Sequence, residues 1–282
     1  MARVDTPEWM RARPRTAIDL RTDRPHAARV YDVLLGGKTN YPADRAQAAA
    51  VAERMPSVRI AARVNRAFVM RSARELARAG MRQFLDIGTG IPMEPNLHDT
   101  VQRIDPACRV VYVDNDPIVL AHSRALHTSD PRGRTAYIDA DASRPETVLG
   151  SGEVTATLRL DEPVALFMCL FLHWLPATTD PYEVVGRLLE ALAPGSHLVI
   201  THLASDITPA TVTSVEDTFQ GSGSEVHGRD RDQVARFFTG LRLVEPGLVT
   251  PQHWRPDDDL AGVGGAPADD AVPVWAGVAV KP

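Results

Sequence analysis

Short apolar runs alternate with longer amphipathic stretches along the chain from Gln83 onward. Runs rich in β-branched and aliphatic residues predict strands, and apolar positions repeating every three to four residues predict helices. Strict alternation of the two is typical of a parallel sheet with helices on both faces. We therefore predict a doubly wound α/β fold. The strands are expected over Phe84–Ile87, Arg109–Val113, Thr135–Ile138, Val164–Cys169, His197–Thr201, Leu241–Glu245 and Val274–Val280, and the helices over Asn96–Ile104, Pro117–Leu126, the region of Glu146, Pro181–Leu192, Pro209–Phe219 and Arg231–Leu241.

The last two predicted strands break this alternation. No helix is predicted between Glu245 and Val274, and the segment Arg255–Ala271, rich in Pro, Gly and Asp, is typical of a mobile loop. Two strands joined without a crossover helix are expected to pair antiparallel. The pattern thus predicts a seven-stranded, mostly parallel sheet whose last strand is antiparallel.

The segment before the first strand is predicted to be helical. Residues 1–22 show no clear periodicity and are expected to form a loose tail, and Gly36-Gly37 is typical of a helix end followed by a turn. We divide the chain into residues 1–80, a tail with a helical cap, and residues 81–282, a ligand-binding domain. The three cap helices are expected over about Asp23–Leu35, with Asp23 as the N-cap, Asn40–Met55 and Ser57–Ala79.

Composition narrows the class of protein. A net charge of −5 gives no overall positive field, so no nucleic-acid partner is expected. Two cysteines are too few for a disulfide framework and favour a reducing compartment. The longest apolar run, Val164–Leu172, is far shorter than the roughly 20 residues that span a bilayer. The polar, Arg-rich N-terminus has no apolar core of a secretory signal. These features predict a soluble, cytoplasmic protein without a membrane partner.

Candidate chemistry begins where the first predicted strand ends, at Asp86-Ile-Gly88-Thr89-Gly90. Glycines after a strand let the backbone turn tightly and approach a ligand closely. The helix that follows offers unpaired N–H groups. This combination predicts a nucleotide-type binding loop at the carboxyl edge of a parallel sheet.

The next two strand ends also carry acids. Asp114 comes 24 residues after Gly90, where a Rossmann-like sheet places a carboxylate that accepts hydrogen bonds from ribose hydroxyls. Asp116 competes for this role but is better placed to cap the next helix. We therefore assign Asp114 to the ribose and Asn115 to the neighbourhood of the adenine. After the third strand, Asp139 and Asp141 could each accept a hydrogen bond from the adenine amino group, and we select Asp141.

Taken together, these motifs resemble class I S-adenosylmethionine-dependent methyltransferases, and more narrowly an actinobacterial group of S-adenosyl methyltransferases formerly known as a domain of unknown function. The resemblance covers about Asp19 to Ala279. It implies S-adenosylmethionine as the cofactor and methyl transfer as the reaction. The segments that carry it are Ala28–Lys38, Asp44-Arg45, Asn65–Phe68, Arg82–Gly90, Val110–Pro117 and Leu192–Ser196, and the implied cofactor-binding residues are Asp86, Gly88, Thr89, Gly90, Asp114, Asn115, Asp141 and Ala142.

One departure from the wider superfamily follows Gly90. Met93 stands where a third glycine often falls, and Pro92 and Pro95 delay the helix. The dinucleotide-binding fingerprint includes a third glycine and serves a pyrophosphate, which S-adenosylmethionine lacks. The loop therefore favours a methyltransferase over an NAD-dependent oxidoreductase. Asn96 and His98, at the delayed helix start, could contribute to the cofactor site or simply cap the helix.

Methyl transfer needs a base only if the acceptor atom must lose a proton. His173, after the fourth strand, is our candidate for the catalytic base, since an imidazole titrates near neutral pH, with His202 as a second candidate. Packing within a helix start is the alternative role for His173. Cys169 is expected to be core, and no metal-binding motif is present.

The predicted cap offers a candidate acceptor pocket around Tyr31, Gly37, Asn40, Asp44 and Arg45. Helix packing with a salt link is an equally good interpretation of this cluster. The sequence thus predicts a methyltransferase acting on an unidentified small-molecule acceptor. A protein that binds S-adenosylmethionine as a sensor or partner module, without catalysis, is the alternative from another class.

Overall fold

A computed structural model describes residues 20–119, 130–257 and 265–282 of the chain. Its centre is a seven-stranded sheet in the order β3-β2-β1-β4-β5-β7-β6. Strand β7 runs antiparallel to both of its neighbours, and the pairs among β1 to β5 are parallel, as the alternation predicts. The strands are β1 (Gln83–Ile87), β2 (Arg109–Asp114), β3 (Arg134–Asp139), β4 (Ala165–Cys169), β5 (His197–Leu203), β6 (Arg242–Leu243) and β7 (Val274–Val280).

Helices cover both faces of the sheet. We number those with described bounds in chain order: α1 (Ala27–Leu35), α2 (Pro42–Arg54), α3 (Val58–Arg78), α4 (Leu97–Gln102), α5 (Pro145–Leu149), α6 (Gly152–Thr157), α7 (Pro181–Glu190), α8 (Pro209–Gln220) and α9 (Arg231–Ala235). Short 3-10 turns occupy Leu172–Trp174, Arg236–Phe238, Pro251–His253 and Asp269–Ala271. Within these described ranges, no helix is long and apolar enough to cross a membrane.

The strand residues alternate between two hydrophobic layers, as side chains on a strand point to opposite faces. Leu85 and Ile87 belong to a layer covered by α5, α6 and α7, whereas Phe84 packs with Phe68 and Leu97 of α3 and α4 on the other face. Strands buried on both faces explain why the sequence shows continuous apolar runs rather than alternation with polar residues.

The first three helices do not form one separate layer. Helices α1 and α2 share a third apolar cluster with α8, whereas α3 contributes Ala61 and Val64 to that cluster and Phe68 and Leu76 to the layer against the sheet. The proposed boundary at residue 80 therefore falls after a helix that is continuous with the sheet's core. Only α1 and α2 lie wholly in the third cluster.

Several element boundaries differ from those predicted. Helix α1 begins at Ala27 rather than after Asp23, because the residue before Pro25 avoids helical geometry and the N–H of His26 donates to Asp44 Oδ1 at 3.0 Å. The carboxylate of Asp44, which is distant in the sequence, thus takes the capping role that we assigned to Asp23. Helix α6 was not predicted, and the expected helix Arg231–Leu241 stops at Ala235 and continues as a 3-10 turn. Most of the predicted tail, most of Pro117–Leu126 and residues 258–264 of the predicted loop lie outside the described residues.

Candidate functional site

A cavity of about 440 Å³ opens at the carboxyl ends of β1, β2 and β4 and beside the loop after β3. This is the edge at which open parallel sheets bind ligands, and the volume lies in the usual range for small-molecule sites. Every residue that we predicted to bind the cofactor lines this one cavity: Asp86, Gly88, Thr89, Gly90, Asp114, Asn115, Asp141 and Ala142.

The loop after β1 owes its shape to two glycines in the left-handed region, Gly88 and Gly90, each with φ of 70°. The N–H groups of Gly88 and Thr89 both donate to Val113 O, at 2.9 and 3.2 Å, which ties the loop to β2. A Cβ at Gly88 would lie 2.6 Å from the ring of Phe171. Glycine is required here because the backbone conformation and the packing both exclude a side chain.

Asp114 ends β2 and is almost fully buried. Its Oδ2 accepts from Gly90 N at 2.9 Å and its Oδ1 accepts from Asp116 N at 3.0 Å, so one carboxylate joins the loops after β1 and β2. Burial raises the pKa of Asp114, and these two hydrogen bonds partly offset the shift. Two carboxylate oxygens offer about four acceptor positions, so capacity remains for ligand hydroxyls.

Asp116 has a different role from Asp114. Its Oδ1 accepts from Ile118 N at 2.8 Å, as expected for the helix cap that we predicted. Its Oδ2 lies 3.1 Å from His26 Nδ1 and 3.3 Å from Arg29 Nε, in ion pairs that are not aligned as hydrogen bonds. Asp116 therefore links the loop after β2 to helix α1.

The loop after β3 contributes Asp141, which is partly exposed. Its Oδ1 accepts from Ser143 N at 3.0 Å, and Arg144 Nε lies 3.5 Å from its Oδ2. Asp139 is exposed and is not among the lining residues. Of the two acids between which the sequence left a choice, Asp141 is the one that lines the cavity.

Helices α1 and α3 close the cavity with Tyr31, a predicted acceptor residue, and with Asn65 and Arg66, which carried the family resemblance but had no predicted role. Arg66 Nη2 donates to Met93 O and to Pro95 O, both at 2.7 Å, and so holds the proline-containing loop against α3. Asn65 Nδ2 donates to Tyr31 Oη at 2.9 Å, and Tyr31 Oη donates to Ala62 O at 3.0 Å. The sequence places Asn65 and Arg66 in α3, but it does not show that the face of the helix that carries them lies against the cavity.

The start of α4 explains the delayed helix after Gly90. Asn96 Oδ1 accepts from Met93 N at 3.1 Å. Asn96 and Asp99 also form a capping box, in which Asp99 Oδ2 accepts from Asn96 N at 2.8 Å. His98 is buried, with Nδ1 2.9 Å from Tyr112 Oη. Neither Asn96 nor His98 lines the cavity, so the capping interpretation describes their positions.

Of the predicted acceptor cluster in the cap, only Tyr31 lines the cavity. The other four residues lie in or next to the turn between α1 and α2, where their contacts are with the protein: Gly37, Asn40, Asp44 and Arg45. Asn40 Nδ2 donates to Asp32 Oδ2 at 2.8 Å, and Arg45 Nη1 donates to Asn40 Oδ1 at 2.9 Å. Asp44 is fully buried and accepts from Tyr41 N at 2.8 Å. These contacts match the packing alternative that the sequence left open.

Comparisons with known proteins decide the family. A family model described as S-adenosyl methyltransferase matches residues 12–282. The chain belongs to the S-adenosyl methyltransferase family. S-adenosylmethionine is accordingly its cofactor, and methyl transfer is its class of reaction. No curated protein matches the chain.

Solved structures agree with this membership. The chain is similar to a DUF574 family protein from Streptomyces avermitilis MA-4680, with 40% identity, a TM-score of 0.89, and coverage of 94% of this chain and 100% of that one. It is also similar to a candidate methyltransferase from Thermobifida fusca YX, with 37% identity, a TM-score of 0.83, and coverage of 93% and 97%. The plantazolicin methyltransferase BpumL, 13% identical with a TM-score of 0.52 over 90% of this chain and 96% of that one, shares the fold alone.

In this methyltransferase, His173 lies in the 3-10 turn after β4 and points away from the cavity. It is buried, it is not among the lining residues, and its ring centre is 5.4 Å from that of His202. Burial lowers the pKa of His173 well below its ordinary value, with His202 and Arg229 adding to the shift. A base role for His173 stays a prediction.

His202 and Cys169 are also poor candidates for catalysis. Burial lowers the pKa of His202 to about 3, and its Nε2 lies 2.8 Å from Arg229 Nη1, so Nε2 accepts while Nδ1 donates to Leu203 O. Cys169 lines the cavity, but burial raises the pKa of its thiol well above the ordinary value, and this keeps it protonated. Among the described residues, no group of three or more His, Cys, Asp or Glu side chains is arranged to hold a metal ion.

Asp86 is expected to make the free energy of unfolding of this protein depend on pH. Burial raises its pKa to about 6, with Thr89 and the Arg66 charge opposing the shift. Since the ordinary pKa of an unfolded aspartate is about 3.9, the folded state holds the extra proton between pH 4 and 6. The free energy of unfolding should therefore fall, by at most about 3 kcal/mol from this group, as pH rises through that window. Urea unfolding at pH 4 to 7 should show a flatter pH dependence for Asp86→Asn than for wild type. Parallel curves for the two proteins would contradict this assignment.

Proposed function

We propose that the chain transfers the methyl group of S-adenosylmethionine to a small-molecule acceptor, using the cavity at the edge of β1 to β4. The observation that carries this proposal is the convergence of acids and glycines from three strand ends on one cavity of about 440 Å³. The lining residues fit the cofactor. Side by side along the edge of the sheet they provide acceptors for the ribose hydroxyls, an acceptor for the adenine amino group, and charged side chains for the methionine part.

Each end of the cofactor has a counterpart in the cavity. Asp114 would accept hydrogen bonds from the ribose hydroxyls, and Asp141, one strand further along, would accept one from the adenine amino group. At the β1 end, Asp86 and Arg66 supply opposite charges for the ammonium and carboxylate of the methionine part. Gly88 and Gly90 keep the space between these groups clear of side chains.

The chain's contribution to the reaction is position. Bound S-adenosylmethionine supplies an activated sulfonium methyl group. The residues of the cavity hold the donor along β1 to β3 and leave the side near β4 open to the acceptor, and such alignment can supply much of a rate enhancement. The walls on that side come from α1, α3 and the turn after β4, and they present the aromatic and apolar side chains of Tyr31, Val69, Phe171 and Trp174.

Calorimetry with S-adenosylmethionine and NAD tests the assignment. S-adenosylmethionine should bind wild type and NAD should not. Asp141→Ala removes one hydrogen bond to a partly exposed carboxylate, so the affinity for S-adenosylmethionine should fall roughly fivefold. Asp139→Ala, two residues away and outside the cavity, is the matched control and should keep the wild-type affinity. The proposal would be contradicted if both variants lost the same affinity for S-adenosylmethionine, or if the wild-type protein bound NAD more tightly.

Turnover separates the enzyme from the sensor alternative. A panel of hydroxyl-, amine- and thiol-bearing small molecules would be incubated with S-adenosylmethionine, and release of S-adenosylhomocysteine measured. Product formation that depends on one acceptor class supports the transferase. Tight cofactor binding with no turnover on any class would favour the sensor.

A further inference from the structure

A second cavity, which we call the apolar chamber, lies between α1, α2, α3 and α8 and has a volume of about 110 Å³. Its walls include Val30, Val51, Met55, Ala61 and Phe219, and the only polar atoms on lining side chains belong to Tyr31 and Trp174. The Tyr31 hydroxyl is already engaged by Ala62 O and Asn65. A space of this character binds apolar groups and not water, because water needs two to four polar partners.

The apolar chamber adjoins the cofactor cavity. Four residues, Ala27, Tyr31, Leu170 and Trp174, line both spaces. The two spaces are therefore immediate neighbours. An acceptor that occupied both would need the side chain of Tyr31 or Trp174 to move aside.

The order of strands places the apolar chamber on the acceptor's side of the cofactor. The acids for adenosine follow β2 and β3, and the glycine loop follows β1, whereas the chamber lies beside Leu170 after β4, Leu203 at the end of β5 and Val274 at the start of β7. With adenosine on one side of β1, the reacting methyl group can be approached only from the other side, and that is the side of the chamber.

Leu170 supports a functional junction at this wall. It has φ of 48°, in the left-handed region that leucine avoids, and its N–H donates to Thr201 O at 2.9 Å and to Thr201 Oγ1 at 3.0 Å. Strained backbone of this kind persists where surrounding contacts hold it and concentrates at ligand-binding positions. Leu170, in this backbone conformation, lines both spaces.

We propose that the apolar chamber binds the hydrophobic group of the methyl acceptor, and that the acceptor therefore carries a short alkyl chain or a small unsubstituted ring next to the methylated atom. The inference rests on the proposed function and deepens it by giving the acceptor's chemical class. A chamber somewhat smaller than the ~150 Å³ cavity that holds benzene fits a group of roughly four to six carbon atoms. Each methylene placed there should raise affinity roughly fourfold.

The test uses 1-alkanols from ethanol to heptanol as probes, with binding followed by NMR shifts of the full chain saturated with S-adenosylhomocysteine. Affinity should rise roughly fourfold per methylene to about hexanol and then level off. Ala61→Leu, which fills the apolar chamber, should lower hexanol affinity at least tenfold. Ala67→Leu, on the same helix and outside both cavities, should keep the wild-type series.

Calorimetry with S-adenosylhomocysteine on the same proteins separates the two proposals. Unchanged cofactor affinity with lost alkanol binding in Ala61→Leu supports the chamber. Equal alkanol binding in wild type and Ala61→Leu, or no dependence on chain length in wild type, overturns it whatever the cofactor result. If S-adenosylhomocysteine does not bind, the proposed function fails, and the alkanol series without cofactor still decides the chamber. Val215→Phe, from α8 on another wall, replaces Ala61→Leu if that variant does not fold.

Discussion

Replacing Asp114 with asparagine is expected to weaken the binding of S-adenosylhomocysteine roughly 30- to 200-fold, measured by calorimetry at pH 7.5. The carboxylate accepts from Gly90 N and Asp116 N and would also accept from the ribose hydroxyls. An amide has only one oxygen, so it cannot serve both backbone groups and the ligand together. Losing charge-assisted hydrogen bonds to a buried group costs about 2–3 kcal/mol, which corresponds to this change in affinity.

The matched control for Asp114→Asn is Asp139→Asn. Asp139 is the direct partner of Asp114 in the register between β2 and β3, yet it is exposed and outside the cavity. This variant removes the same formal charge one strand away and should change the affinity less than twofold. If Asp114→Asn binds as wild type does, or if both variants lose affinity equally, the ribose assignment is wrong. Circular dichroism of both variants checks that the fold is kept.

Replacing Arg29 with methionine is expected to lower the free energy of unfolding by about 3–5 kcal/mol, and the melting temperature by roughly 10 °C. Arg29 is almost fully buried, with Nε 3.3 Å from Asp116 Oδ2 and 3.6 Å from Asp44 Oδ1. Its Nη2 also donates to Arg21 O at 3.2 Å and Arg24 O at 3.3 Å. Methionine keeps the apolar length but leaves two buried carboxylates without their cation, and an uncompensated buried charge is costly.

Arg63→Met is the control for Arg29→Met. Arg63 is an exposed arginine of α3, and surface substitutions of this kind stay within about 0.5 kcal/mol of wild type. Arg29→Lys keeps the charge and should recover part of the lost stability. Urea unfolding gives the free energies, and the result is contradicted if Arg29→Met melts within 2 °C of wild type. Since Asp116 N–H donates to Asp114, Arg29→Met should also weaken cofactor binding, whereas Arg63→Met should not.

The Arg29 cluster connects the helical cap to the loop after β2. One guanidinium contacts acids from α2 and from that loop, which directly follows Asp114 at the end of β2. Arg29 therefore links α1 and α2, through buried charges, to the loop whose Asp116 N–H donates to Asp114.

The cofactor edge could be predicted because its chemistry follows strand ends. Asp86 and Asp114 each come directly after an apolar run, and Asp141 comes two residues after the end of β3. The carboxyl ends of neighbouring parallel strands meet at one edge. The left-handed turns at Gly88 and Gly90 are likewise local properties of the chain. Position along the sequence therefore predicted which of these residues share a cavity.

His173 and the cap cluster show where such prediction stopped. His173 follows β4 at a suitable distance, but the 3-10 turn Leu172–Trp174 directs the imidazole towards His202 and leaves Phe171 and Trp174 to line the cavity. In the cap, Asp44 is polar and near a turn, yet it serves the backbone of His26 and Tyr41 rather than a ligand. In both cases the local backbone conformation decides which of several neighbouring side chains faces the cavity, and the sequence pattern does not show it.

Sequence alone was enough to predict the alternation of strands and helices, the antiparallel last strand, the family and the acids near the strand ends. These depend on local periodicity and on residues adjacent in the chain. Only the folded chain shows which faces of α1 and α3 close the cavity, that Arg29 joins Asp44 to Asp116, and that an apolar chamber adjoins the cavity at the carboxyl edge of the sheet. The physical reason is that a helix offers side chains in all directions. Its orientation depends on contacts with segments far along the chain, such as α8 and the ends of β5 and β7.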